Sequence, residues 1–206
     1  MSVPTSCGVL PRTFPLDVPL DVPLDAILGA ALDGPADPRE RIRHFASPVT
    51  RMLLSSEGLT TTLLESMAGE SLHLTCLAQL RTPARETGNG VPALLRIDGG
   101  GDVLVRYSAT TRTGGQALSV NHVVARLGLA PGLEPCLTSR SIPLGPALTA
   151  AGTGYRRTLL DAGRRPWTDE DGHWRLAAYK TYLVWHGDDP LALINELFNP
   201  SAVPAA

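Results

Sequence analysis

The residue best placed for chemistry is Glu196. It stands in Leu191-Ala192-Leu193-Ile194-Asn195-Glu196-Leu197-Phe198, a strand-like run that is apolar almost throughout and holds one acid. A carboxylate among apolar neighbours is costly to ionise, so it has either a raised pKa or a basic partner. The first arrangement makes a general acid; the second makes a structural ion pair between the last strand and an arginine at the core edge. Upstream, Ile142-Pro143-Leu144-Gly145 forms a turn before a helical stretch, where Gly145 allows the backbone to come close to a ligand. Arg85, Arg96 and Arg106 lie on or beside neighbouring strands, and Lys180 is the single lysine of the chain.

Other chemistries find little support. His44, His73, His122, His173 and His186 form no close pair and no H-E-x-x-H, and no G-x-S-x-G elbow occurs. Cys7, Cys76 and Cys136 are far apart and odd in number, which argues against a zinc site or a disulfide framework and for a reducing, cytoplasmic setting. Asp98-Gly-Gly-Gly-Asp102 reads as a turn, because a strand follows it where a phosphate cradle needs a helix. The acidic Asp169-Glu170-Asp171 run reads as a solvated loop. A net charge of −2 gives no general attraction to nucleic acid. No apolar run approaches the ~20 residues of a membrane span, and no secretory leader is expected. Neither cofactor nor metal is expected, and the chain is expected to act as a monomer or homodimer on a small molecule.

The 206 residues, 43% of them hydrophobic, fit one domain with a substantial core. Residues 1–37 stand apart. Pro15-Leu-Asp-Val-Pro19-Leu-Asp-Val-Pro23-Leu-Asp25 repeats every fourth residue and predicts an extended arm. The folded domain is expected over residues 38–206. Asp37-Pro38 opens a helix, Pro48 interrupts it, and a second short helix runs to about Ser56. Strands are predicted at Thr60–Ala68, Leu72–Leu77, Pro92–Ile97, Val103–Thr111, Arg175–Trp185 and Leu191–Phe198. Helices are predicted at Ser119–Leu127, which carries His122, and from Gly145 to about Ala162. With no βαβ alternation, the pattern favours an antiparallel α+β layer.

The ordered set of motifs resembles the chorismate lyase family over residues 50–200. Its carriers are the Pro143-Leu144-Gly145 turn before a helix, the final strand with Glu196 before an aromatic residue, and the early Leu53-Leu54-Ser-Ser-Glu57-Gly58-Leu59-Thr60 segment. The resemblance implies one antiparallel sheet of about six strands, with helices covering a ligand cavity. It implies that Glu196 contacts the ring hydroxyl and assists elimination, and that Leu59, Leu144 and Gly145 line the pocket. Two departures stand out. Aligning the Asp98-Gly99 turn puts Val91-Pro92 where the family has its carboxylate-gripping arginine, which leaves Arg106, Arg96 and Arg85 as the candidates to bind the substrate carboxylate in its place, and Ala177-Ala178-Tyr179-Lys180 occupies the place of its adjacent arginines. The function expected is a cofactor-free carbon–oxygen lyase, most simply chorismate to 4-hydroxybenzoate and pyruvate. The alternatives are the same fold repurposed for elimination or cyclisation on a specialised metabolite such as a polyketide, and a non-catalytic small-ligand-binding domain.

Overall fold

The computed structural model describes residues 37–206 except 89, 99, 130–131 and 170–171. The proline-punctuated arm and part of the acidic 169–171 run therefore lie outside the described residues. The chain opens with α1 (Pro38–Arg43), whose N-cap Asp37 side chain accepts from the Arg39 amide, and α2 (Pro48–Ser55), capped by Ser47. Both helices carry proline in the first turn, where a missing N–H costs nothing. Then come α3 (Thr60–Ala68), β1 (His73–Pro83), a 3₁₀ turn at Ala84–Glu86, α4 (Val91–Leu94), β2 (Asp102–Thr111) and β3 (Ala117–Arg126). The second half holds α5 (Glu134–Thr138), α6 (Leu144–Ala150), β4 (Arg156–Thr168), β5 (Trp174–His186) and β6 (Asp189–Phe198). The strands form one six-stranded sheet in the order β1-β2-β3-β6-β5-β4, and every neighbouring pair is antiparallel.

The fold class and the strand number agree with expectation, but two of the six strands are exchanged. Thr60–Ala68 is a helix because Thr60 and Leu64 are buried four residues apart, and Gly69 ends it in the left-handed region at φ 71°. Pro92–Ile97 gives way to the short α4, with proline in its first turn. The segment expected as the helix Ser119–Leu127 is β3, a central strand buried on both faces, so it lacks the alternation that marks a half-exposed strand. The helix expected to reach Ala162 stops at Ala150, where Gly152 adopts φ 67° and β4 takes over.

Residues in register share a face of the sheet. One face carries two apolar patches. The first packs α5 and α6 against Leu104, Val123, Val184, Ala192 and Ile194. The second packs α1, α2 and α3 against Ala162, Ala178 and Phe198. The opposite face is covered by α4 and the 3₁₀ turn over Val103, Val105, Val124, Leu183 and Leu193. His122 points to that opposite face, so it sits on a strand and away from the helix expected for it. Its ring stacks on Tyr107 with centroids 4.3 Å apart, and neither ring nitrogen has a hydrogen-bond partner among the described residues.

Burial pulls the His122 pKa down to about 4. The neutral ring is thus the form the fold accepts, while the unfolded chain takes up a proton near pH 6.5. The contribution of His122 to stability is therefore complete above pH 6.5 and is lost as pH falls from 6.5 toward 4. By this linkage the loss amounts to roughly 3 kcal/mol. Urea unfolding between pH 7 and 5 is expected to show this slope, and His122→Phe, which keeps the stack, is expected to flatten it.

Candidate functional site

The gap between the two helical patches is a cavity of about 40 Å³. Its floor is the sheet. Arg106, Ser108 and Thr110 come from alternate positions of β2, Asn121 and Val123 from β3, Ile194 and Glu196 from β6, Tyr182 from β5 and Arg157 from β4. Register explains the convergence, because Ser108 pairs with Asn121 and Asn121 with Glu196, while Ile194 pairs with Tyr182. The walls are Thr60 and Thr61 at the start of α3 and Pro143, Leu144, Gly145 and Pro146 at the start of α6.

Glu196 is not isolated among apolar groups. Its Oε2 accepts from the Thr60 hydroxyl at 2.9 Å and lies 3.8 Å from Lys180 Nζ. Lys180 is only 1% exposed. Burial lowers its pKa to about 8, with Glu196 opposing that shift and Arg157 adding to it. The ammonium also donates to the carbonyls of Leu53 at 3.0 Å and Ser56 at 3.3 Å. Tyr182 is held neutral, first by burial and then by the Glu196 charge, which push its pKa upward.

Two arginines line the cavity. Arg106, 2% exposed, donates from Nη1 to the Ser139 carbonyl at 2.5 Å. Arg157, 8% exposed, donates from Nη1 to the Gly58 carbonyl at 2.5 Å and to the Thr60 hydroxyl at 3.3 Å, and its guanidinium stacks 4.8 Å from the Tyr182 ring centroid. Burial lowers the Arg106 pKa. Burial pulls Arg157 down as well, but Tyr182, Glu196 and Tyr155 together outweigh it and the net shift is upward. The Nε atoms of both arginines and the Ser108 hydroxyl are buried with no hydrogen-bond partner among the described residues. Three residues that line one cavity thus each carry a buried polar atom left unanswered, which costs free energy.

Of the residues singled out from sequence, Glu196, Arg106, Leu144 and Gly145 line this cavity. Leu59 lies beside it, for a Cβ built on Gly145 would come 2.5 Å from Leu59 Cδ2 and 3.0 Å from Arg157 Nη2. Gly145 is thus the residue that lets α6 approach both. Arg96 and Arg85 are elsewhere. Arg96 is exposed at φ 51°, donating to the Asp188 carbonyl at 2.8 Å, and Arg85 is exposed beside Glu86 at 3.9 Å. Sequence reading missed Arg157, Thr60, Ser108, Asn121 and Tyr182. Val91-Pro92 is not strand but helix α4, so the position aligned with the carboxylate-gripping arginine was misplaced. The signal for Arg157 was the adjacent pair Arg156-Arg157, which fell inside the expected helix and in fact begins β4. Among the described residues no group of three or more His, Cys, Asp and Glu is placed to hold a metal ion, and no helix is long and apolar enough to cross a membrane.

No protein-family model matches the chain, and no curated protein matches it. Solved structures do. PhnF from Mycobacterium smegmatis superposes with a TM-score of 0.55 at 15% identity, covering 72% of this chain and 66% of that one. The effector domain of the same protein gives a TM-score of 0.53 at 16% identity over 70% of this chain and 90% of its own length. The ligand-binding domain of a candidate GntR-family transcriptional regulator from Bordetella bronchiseptica overlaps at a TM-score of 0.47 and 14% identity, over 64% and 86%. The chain therefore matches just under two thirds of the length of PhnF and nearly all of its effector domain. The fold is the chorismate lyase-like α+β sheet, and the resemblance read from sequence holds at that level.

The expectation of a carbon–oxygen lyase, or of a repurposed lyase or cyclase, is corrected by these findings. The similar structures are an effector domain and the protein that carries it. In the structure the Glu196 carboxylate has the basic partner that its sequence setting allowed, Lys180, together with the Thr60 hydroxyl. Glu196→Gln is expected to keep the fold but lower stability by roughly 3 kcal/mol, the scale for breaking a buried ion pair. Urea unfolding at pH 7 measures it, and unchanged stability would show that the carboxylate does not anchor Lys180.

Proposed function

We propose that this domain is a non-catalytic small-ligand-binding module and that its ligand carries a compact anionic group. The observation that carries the reading is the pair of buried arginines, Arg106 and Arg157, whose Nε atoms both lack partners beside an equally unanswered Ser108 hydroxyl. Two guanidiniums face one carboxylate along the cavity wall, so the site carries surplus positive charge. Arginine offers planar, multidentate donors suited to carboxylate or phosphate oxygens. The space of about 40 Å³ suits a group the size of a few waters. Asn121, Thr110 and Tyr182 then supply polar and aromatic edges for the rest of the molecule. Similarity to an effector domain supports the same reading at the level of fold.

Thermal unfolding with sodium phosphate, set against sodium chloride at equal ionic strength, tests it. Saturating phosphate is expected to raise Tm by roughly 5–10 °C, the shift that linkage gives a domain of this size at about a hundred times Kd. Arg106→Gln is expected to abolish the shift. The shift is expected to shrink above pH 8, as the neighbouring Lys180 loses its charge. If phosphate, sulfate and succinate all leave Tm unchanged in the wild-type protein, the anion-binding reading is wrong.

A further inference from the structure

Arg157, one of the two guanidiniums that line the cavity, and the buried Lys180 behind it have a second occupation. Between α2 and α3 runs a short loop, Ser56–Leu59, in which Glu57 and Gly58 are exposed. The backbone at and just before this loop is tied to the sheet through cationic side chains. Lys180 donates to the carbonyls of Leu53 and Ser56 at 3.0 and 3.3 Å. Arg157 donates to the carbonyl of Gly58 at 2.5 Å and to the hydroxyl of Thr60 at 3.3 Å. Thr60 in turn donates to Glu196 at 2.9 Å. On the outer side the loop is held by the exposed pair Arg39–Glu57 at 3.2 Å, an interaction worth little in water. The loop's position therefore depends on Arg157 and Lys180.

We propose that the Ser56–Leu59 loop is the output of the cavity. An anion bound between Arg106 and Arg157 draws the Arg157 donors away from the neutral Gly58 carbonyl and frees the loop. This rests on the anion-binding reading above. Neutral carbonyls are weaker acceptors for a cation than a charged oxyanion in the same low-dielectric setting, so the anion wins the competition for the donors. The groups facing the two cations are accounted for element by element. Glu196 comes from β6 and Tyr182 from β5. Thr60 and the Gly58 carbonyl come from α3 and the loop, and Tyr155 from the approach to β4. Among them Glu196 is the single carboxylate, and it already belongs to Thr60 and Lys180. The freed segment connects directly to α2, and through α2 to α1, so occupancy at the sheet is passed to the N-terminal side of the domain. Reciprocity follows, because whatever holds the loop down must weaken anion binding by the same factor.

Hydrogen exchange read by mass spectrometry on the wild-type protein at pH 7, in phosphate and in chloride of equal ionic strength, tests this. The informative amides are Ser56, bonded to the Met52 carbonyl, and Leu63, bonded to that of Leu59. Exchange across residues 54–64 is expected to rise roughly five-fold or more with phosphate, the lower end of typical coupling, while β5 and β6 slow. A ligand that merely stabilises the fold would slow exchange everywhere, including this segment. If phosphate raises Tm but exchange across 54–64 is unchanged or slower, the loop proposal is overturned and the binding reading stands. If phosphate neither raises Tm nor alters exchange anywhere, both fall together.

Discussion

Lys180 and Arg157 are cations buried under helices, and most of the polar groups around them answer their charge. A buried ammonium or guanidinium without acceptors is among the costliest things a fold can contain. Here the acceptors are one carboxylate from β6, one hydroxyl from α3, the Leu53 carbonyl of α2, and the Ser56 and Gly58 carbonyls of the turn between α2 and α3. The N-terminal helices are consequently docked by more than apolar contact. Ile42, Phe45, Leu53, Leu54 and Leu64 supply the hydrophobic seal, and the cations fix its position on the sheet. The same requirement explains Gly145. A side chain there would strike Leu59 and crowd the Arg157 guanidinium, so α6 can close the other wall only if that position has no Cβ.

What could be read from sequence was decided by how each segment is buried. β5 and β6 were legible because their long apolar runs flank a tight turn. α1 and α2 were legible because Asp37-Pro38 and Ser47-Pro48 mark helix starts in local chemistry alone. β3 was not, since a central strand buried on both faces shows no alternation. α3 was mistaken because its three threonines suggest a strand, whereas the spacing of Thr60 and Leu64 belongs to a helix. At the site, Glu196, Leu144 and Gly145 could be placed because short motifs surround them. Arg157 could not, because its importance comes from register. It faces the cavity only through the pairing of β4 with β5, and no local pattern reports that pairing. The apolar neighbours of Glu196 in sequence were similarly misleading, for its partners Thr60 and Lys180 come from other elements.

The strand order has a consequence for how the domain assembles. The sheet consists of two three-stranded meanders, β1-β2-β3 and β4-β5-β6, each built from neighbours in sequence and joined along one seam where β3 meets β6. Either meander can form through short-range contacts, whereas the seam links residues 117–126 with 189–198 and carries the larger loop-closure cost. The cavity straddles that seam, with Arg106 and Ser108 on one side and Glu196, Tyr182 and Arg157 on the other. Neither half holds both arginines. The pocket thus comes into being only when the two meanders zip together, and an anion of the proposed kind, lodged between Arg106 and Arg157, would act as a clasp across that join.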